Sequence, residues 1–213
     1  MDFRFAIDPF ELHDGLEIGI LSKRTSKAAR PTSGTQSYDL STCHFAYHHP
    51  VRARRIILTI GYEGATIESF LETVASAGIT EVIDVRQFPI SRKRGFSKKA
   101  LASALETVGA SYRHLVGLGS PKTIRDELRQ RGDWPAFARQ YLQHLRAAQA
   151  DLTEIANRSS SGKAAILCFE ADFHVCHRSI IANELLEQHL VDEVVHLRPS
   201  EGHETFRRAD AAD

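Results

Sequence analysis

The sequence is poor in cysteine and has no excess of charge. Its three cysteines, Cys43, Cys168 and Cys176, are odd in number and follow no framework of regular spacings, which excludes a small disulfide-stapled secreted domain and fits a reducing cytoplasm. Lysine and arginine number 27, as do aspartate and glutamate. With zero net charge, only a locally basic face can make a case for nucleic-acid binding. No uninterrupted apolar run reaches the roughly 18–20 residues that a membrane-spanning helix needs, and the start Met1-Asp2-Phe3-Arg4 lacks a signal peptide's basic and apolar regions. The expectation is a cytoplasmic protein with no membrane partner.

What is present suffices for a core. Across 213 residues, 42% hydrophobic and 25% charged content excludes wholesale disorder, and the length predicts one domain with appendages. Residues 1–53 have weak periodicity and a polar stretch rich in Ser, Thr, Lys and His, so they read as a flexible extension. The folded domain is expected over 54–198, followed by a frayed tail over 199–213.

Within the domain, Ile56-Ile57-Leu58-Thr59-Ile60 is a β-branched run ending at Gly61, as a buried strand would. Thr66 is an N-cap candidate for a helix carrying Phe70, Leu71, Val74 and Ala75 on one face and stopping at Gly78. A second strand follows at residues 81–85, so strand, helix and strand fit a right-handed βαβ unit. Further helices are expected from Ser97 to Gly109, through most of 122–158 and over 177–189, with strands near 112–115, 164–169 and 191–197. This alternation predicts an α/β three-layer sandwich: a mainly parallel central sheet with helices on both faces.

In such a sheet, ligands bind beyond the carboxyl ends of the strands. Three strand ends carry polar residues: Tyr62 after the first, Asp84 and Arg86 at the second, and Cys168, Glu170, Cys176, His177 and Arg178 after the third. Their convergence would form one site. Cys176 precedes a helix, where free backbone N–H groups, the helix dipole and Arg178 would lower its pKa and expose a thiolate nucleophile. Asp84 and Glu170 are candidate general acids or bases, with Tyr62 and His114 nearby as proton donors or acceptors. Equally, Asp84 is a candidate for a structural ion pair with Arg86, Arg92 or Arg178, and both thiols for burial in the core. Cys168, Cys176 and His177, with His114 or His174, supply metal-donor types, yet the spacing matches no standard zinc ribbon or finger, so no metal is assigned.

Residues 86–99 hold six basic side chains, with no acid between Arg86 and Glu106, and Phe88 and Phe96 interleaved. This pattern suits phosphate contacts and base stacking. The plainer alternative is a solvated loop with both phenylalanines packed inward. Arg86, Arg92 and Arg178 are the phosphate-binding candidates.

Taken together, Thr59-Ile60-Gly61-Tyr62, Val82-Ile83-Asp84-Val85-Arg86 with Pro89, Ser91-Arg92 and Gly95-Phe96-Ser97, Tyr112-Arg113-His114 with Leu118-Gly119, and Leu167-Cys168-Phe169-Glu170 with Cys176-His177-Arg178 resemble the domain of unknown function 488 family. The resemblance spans about residues 56–198 and implies an α/β domain with a site near Tyr62, Asp84, Arg86, Arg92, His114, Glu170, Cys176, His177 and Arg178. It implies no activity and no cofactor. A weaker similarity links the Val82–Arg86 strand and the Cys176 helix start to rhodaneses, although residues 170–175 are inserted between the strand end and Cys176. The functional expectation is a phosphate-, nucleotide- or nucleic-acid-binding pocket with Cys176, Glu170, Asp84 or Tyr62 poised for chemistry. The alternatives are cysteine-dependent sulfur transfer and a non-catalytic nucleic-acid-binding module.

Overall fold

The computed structural model describes residues 17–22 and 54–200. Residues 17–22, read from the sequence as part of a flexible extension, form a strand instead; the expectations for the rest of 1–53 and for the tail beyond Ser200 lie outside the described residues. Strand β1 is Glu17–Ser22, followed by β2 (Ile56–Gly61), α1 (Ile67–Ser76), β3 (Glu81–Asp84), α2 (Lys98–Glu106) and β4 (Ser111–His114). Helices α3 (Lys122–Arg131), α4 (Trp134–Ala147) and α5 (Gln149–Ser161) then precede β5 (Ala164–Cys168), α6 (His177–Glu187) and β6 (Glu193–Arg198).

The strand order is β1-β6-β2-β5-β3-β4. Strands β2 to β6 are all parallel, and β1 adds an antiparallel edge through backbone pairing with β6. Each parallel connection needs a crossover, and the helices supply it. Thr66 caps α1 as its spacing predicts, accepting from the Ser69 N–H at 3.1 Å.

Alternation along the strands sorts side chains into two cores. Leu58, Ile60, Val82, Ala165 and Leu167 meet α1 and α2 through Phe70, Val74, Leu101 and Leu105. Ile57, Ile83, Ala164 and Ile166 meet α4, α5 and α6 through Tyr141, Leu145, Leu152, Ile155 and Leu185. The sheet is thus covered on both faces, which is why its strands read as continuous apolar runs. Each fully buried aliphatic side chain of this kind contributes about 1.5–3 kcal/mol. No helix among the described residues is long and apolar enough to cross a membrane.

Candidate functional site

The polar strand ends do not converge on one site. They form two clusters on opposite faces of the sheet. Asp84 pairs in register with Leu167, whose side chain belongs to the α1/α2 core. Cys168 is the next residue, so its side chain points the other way, toward α4 and α6.

On the α1/α2 face, Asp84 is fully buried and Arg86 nearly so. The Arg86 Nε donates to Asp84 Oδ1 at 2.9 Å and its Nη2 to Oδ2 at 2.6 Å, a two-pronged pair. The Arg86 backbone N–H adds a bond to Oδ1 at 3.0 Å, and the Tyr112 hydroxyl donates to Oδ2 at 2.6 Å. Four donors fill the acceptor capacity of the carboxylate. The remaining guanidinium edge donates from Nη1 to Tyr62 Oη at 2.7 Å and to the Phe96 carbonyl at 3.0 Å. Tyr62 stacks on Phe96 with centroids 4.3 Å apart. Burial opposes the Arg86 charge, but the hydrogen bonds and attraction of Asp84 outweigh it and hold the group charged. Burial and the Asp84 hydrogen bond raise the Tyr112 phenol. Of the partners proposed for Asp84, Arg86 is the one it takes.

On the other face, Cys168 closes β5, Cys176 is the N-cap of α6, and Glu170 sits on the loop between them. The Cys168 and Cys176 thiols donate to the same oxygen, Glu170 Oε2, at 2.9 and 3.0 Å. Cys168 Sγ also lies 3.4 Å from His177 Nδ1, while His177 Nε2 donates to the Val85 carbonyl at 3.0 Å. The carbonyl only accepts, so in the neutral ring Nδ1 turns its lone pair to the thiols. The Tyr141 ring meets the imidazole edge to face at 5.3 Å and fixes its plane. Both thiols and the imidazole are buried and Glu170 is half-buried, leaving the carboxylate as the solvent-facing side of the cluster.

Burial pushes the Glu170 carboxyl up, but the two thiol hydrogen bonds outweigh it and hold the group below its ordinary range. Burial, with Cys168 beside it, pushes the Cys176 thiol well above its ordinary value. For His177, burial lowers the pKa but Cys176, the Val85 carbonyl and Glu170 raise it further than burial lowers it. The expected low-pKa thiolate at Cys176 is therefore corrected. Desolvation at 1% exposure dominates the helix dipole, and Arg178 does not face the sulfur.

Instead, the Arg178 Nη1 donates to the Glu170 carbonyl at 2.5 Å and its Nη2 to the Ala171 carbonyl at 2.9 Å, locking the loop that carries Glu170. A Cβ at Gly61 would overlap that same Glu170 carbonyl and stand 3.2 Å from Arg178 Nη1, so the loop's close approach requires glycine at the end of β2. The expectation that Arg86 and Arg178 bind phosphate is corrected too: both guanidinium groups are buried and engaged inside the protein. Arg92 stays exposed. His114 is half-buried, with Nε2 2.9 Å from the Arg86 carbonyl, and exposed His174 sits on Asp172 at 2.9 Å. Neither histidine joins the thiols; Glu170 takes the fourth donor position.

The helical pattern places Tyr141 on a buried face, as found, but the sequence reading gives neither it nor Tyr112 nor His196 a role at the site. Tyr112 lies within a quoted motif, and His196 interrupts an apolar strand; each was a legible anomaly without an assigned partner. His196 Nδ1 is 2.7 Å from Thr59 Oγ1, and its ring stacks on Phe173 at 3.8 Å. Burial, then Arg178 and His174, lowers its pKa to about 3.

The phenylalanines of the basic segment divide: Phe96 is fully buried, and Phe88 is 59% exposed beside Ile90 at 79%. Arg125 on α3 sets its guanidinium carbon 6.0 Å from the Phe88 ring centroid. No curated protein and no solved structure matches the chain. The model of a domain of unknown function, DUF488, matches residues 66–185; this stretch runs from the cap of α1 into α6, contains both polar clusters except Tyr62, and is more than half of the sequence, so the chain belongs to the DUF488 family.

Proposed function

We propose that the domain binds single-stranded nucleic acid along the carboxyl edge of its sheet, with the segment after β3 as the main contact. The observation carrying this reading is the acid-free run from Arg86 to Glu106, whose exposed Arg92, Arg94, Lys98 and Lys99 lie beside exposed Phe88. The run ends in α2, which has two lysines and no acid in its first turn and no side-chain cap. Cations at the positive end of a helix dipole are unfavourable neighbours by about 0.3–1 kcal/mol each, and a phosphate placed there relieves both. Phe88 offers a face for a base. Its open exposure favours a polymer laid across the surface over an enclosed mononucleotide.

Sulfur transfer fits less well, because both thiols are buried and burial raises the Cys176 pKa.

Fluorescence anisotropy with a labelled oligonucleotide of about 12 nucleotides tests the reading. Affinity is expected to fall with salt, at a log–log slope of about −0.7 per phosphate contacted. The Arg92→Ala, Arg94→Ala double variant should flatten that slope, and Phe88→Ala should cost about 1–3 kcal/mol of binding. No binding at low salt, or binding indifferent to all three changes, overturns it.

A further inference from the structure

We propose that Cys168, Glu170, Cys176 and His177 form a four-ligand site for a thiophilic divalent cation of the zinc class. The inference is independent of nucleic-acid binding and concerns the opposite face of the sheet from the Asp84 cluster.

The geometry is that of a site one step from closure. One donor atom from each of the four residues lies within 4.8 Å of all the others. In a tetrahedral zinc site, with Zn–S about 2.3 Å and Zn–N or Zn–O about 2.0–2.2 Å, neighbouring ligand atoms stand about 3.3–3.8 Å apart. The two sulfur–oxygen separations of 2.9 and 3.0 Å need to open by about 0.6–0.7 Å and the sulfur–nitrogen separation of 3.4 Å by about 0.2 Å, while the widest pair, within 4.8 Å, closes by up to about 1 Å. Side-chain rotation and the half-buried Glu170 supply that freedom.

The donor set selects the cation. Two thiolates and an imidazole favour zinc-class ions, whereas magnesium and calcium take oxygen ligands. Loading replaces the two thiol protons, released to solvent, by a dication facing two thiolates and one carboxylate. The surroundings meet the requirement for an oriented ligand shell: His177 donates its other ring N–H to the Val85 carbonyl, as metal-bound imidazoles do. Tyr141 packs against that ring, and Arg178 pins the Glu170 backbone. Four protein ligands leave no open position, so the ion would be structural. It would tie β5 to α6 and fix the intervening loop, which displays Phe169 and Val175 at 43% and 55% exposure.

The test uses the full reduced chain under anaerobic conditions, titrated with Co2+ and then displaced by Zn2+. One equivalent should bind, with sulfur-to-cobalt charge transfer in the near ultraviolet and the intense visible bands of tetrahedral cobalt. Zn2+ should protect Cys168 and Cys176, but not Cys43, from alkylation read by mass spectrometry, and this needs no variant. Cys168→Ser and Cys176→Ser should each weaken Co2+ binding and reduce the thiolate band, while Cys43→Ser leaves both unchanged. Glu170→Gln, which preserves shape, should weaken Co2+ binding at least about tenfold. A folded, reduced wild-type chain that takes up no stoichiometric metal, or a thiolate band abolished by Cys43→Ser and retained in the other two serine variants, overturns the site. So does conversion of Cys168 and Cys176 to a disulfide that Zn2+ fails to prevent.

Discussion

The two polar clusters at the carboxyl edge of the sheet are made from similar material and differ in how much of it is spent. At the end of β3, Asp84 receives four hydrogen bonds and Arg86 uses both edges of its guanidinium. At the end of β5, two thiols share one carboxylate oxygen, His177 Nδ1 is 3.4 Å from the nearer sulfur, and the buried Arg178 Nε has no partner among the described residues. A saturated buried cluster is architecture, because any reaction would first have to break bonds that burial has made expensive. An unsaturated one keeps lone pairs and protons to exchange. The basic segment after β3 begins at Arg86 inside the saturated cluster and then turns Arg92, Arg94, Lys98 and Lys99 to solvent, the surface on which the proposed nucleic-acid contact rests.

Breaking the saturated cluster should give the largest effect. Asp84→Ala leaves the Arg86 charge buried without its partner and is expected to cost about 3–5 kcal/mol in urea denaturation; a loss below about 1 kcal/mol would contradict the architectural role of that cluster. Next comes acid sensitivity beside the β5 loop. His196 has its pKa lowered to about 3 by burial, then by Arg178 and His174, against an unfolded value of about 6.5. As pH falls below about 6.5 the unfolded chain takes up a proton that the folded chain refuses until about pH 3, so stability held above that window declines through it. The slope approaches about 1.4 kcal/mol per pH unit once the unfolded histidine is protonated, which gives a loss of about 1.5 kcal/mol between pH 6.5 and 5. Comparing denaturation midpoints at the two pH values for wild type and His196→Gln checks this, since an equal decline in both would remove His196 as the cause. The smallest effect is expected from Tyr112→Phe, which deletes one hydrogen bond to a charged group on a half-buried side chain and should cost about 1.5 kcal/mol. The same variant should speed alkylation of Cys168 and Cys176 by no more than its loss of global stability accounts for. If it speeds them further, the two faces are coupled and the division between them fails.

Much of this layout was legible before the fold was known. The β-branched run at 56–60, the Thr66 cap and the 164–168 run each declare their element through local propensity and period. The polar residues singled out after the strands do stand at the carboxyl ends of β2, β3 and β5. Convergence of those ends failed for a specific reason: Asp84 and Cys168 end neighbouring strands with opposite parity. A register in which Asp84 faces Leu167 therefore sends the carboxylate to one face and the thiol to the other. Periodicity within one strand carries no phase relative to the next. The depressed thiol pKa failed because the helix-dipole effect is worth tenths of a kcal/mol at a terminus, whereas burial of a charge costs several.

The sequence by itself determined the order of strands and helices from residue 54 onward, though not β1; it also determined the two-sided burial of the sheet, the acid-free basic segment and the residue types available at each strand end. These are properties of short windows, where side-chain volume, branching and charge act on their own backbone. Only the tertiary structure decided that Tyr112 meets Asp84 across 28 positions, that Glu170 rather than His114 or His174 completes the thiol cluster, and that Arg86 and Arg178 face inward. Those outcomes depend on strand register and on the desolvation of each group. Both arise when distant segments pack together, and neither is encoded in any single segment.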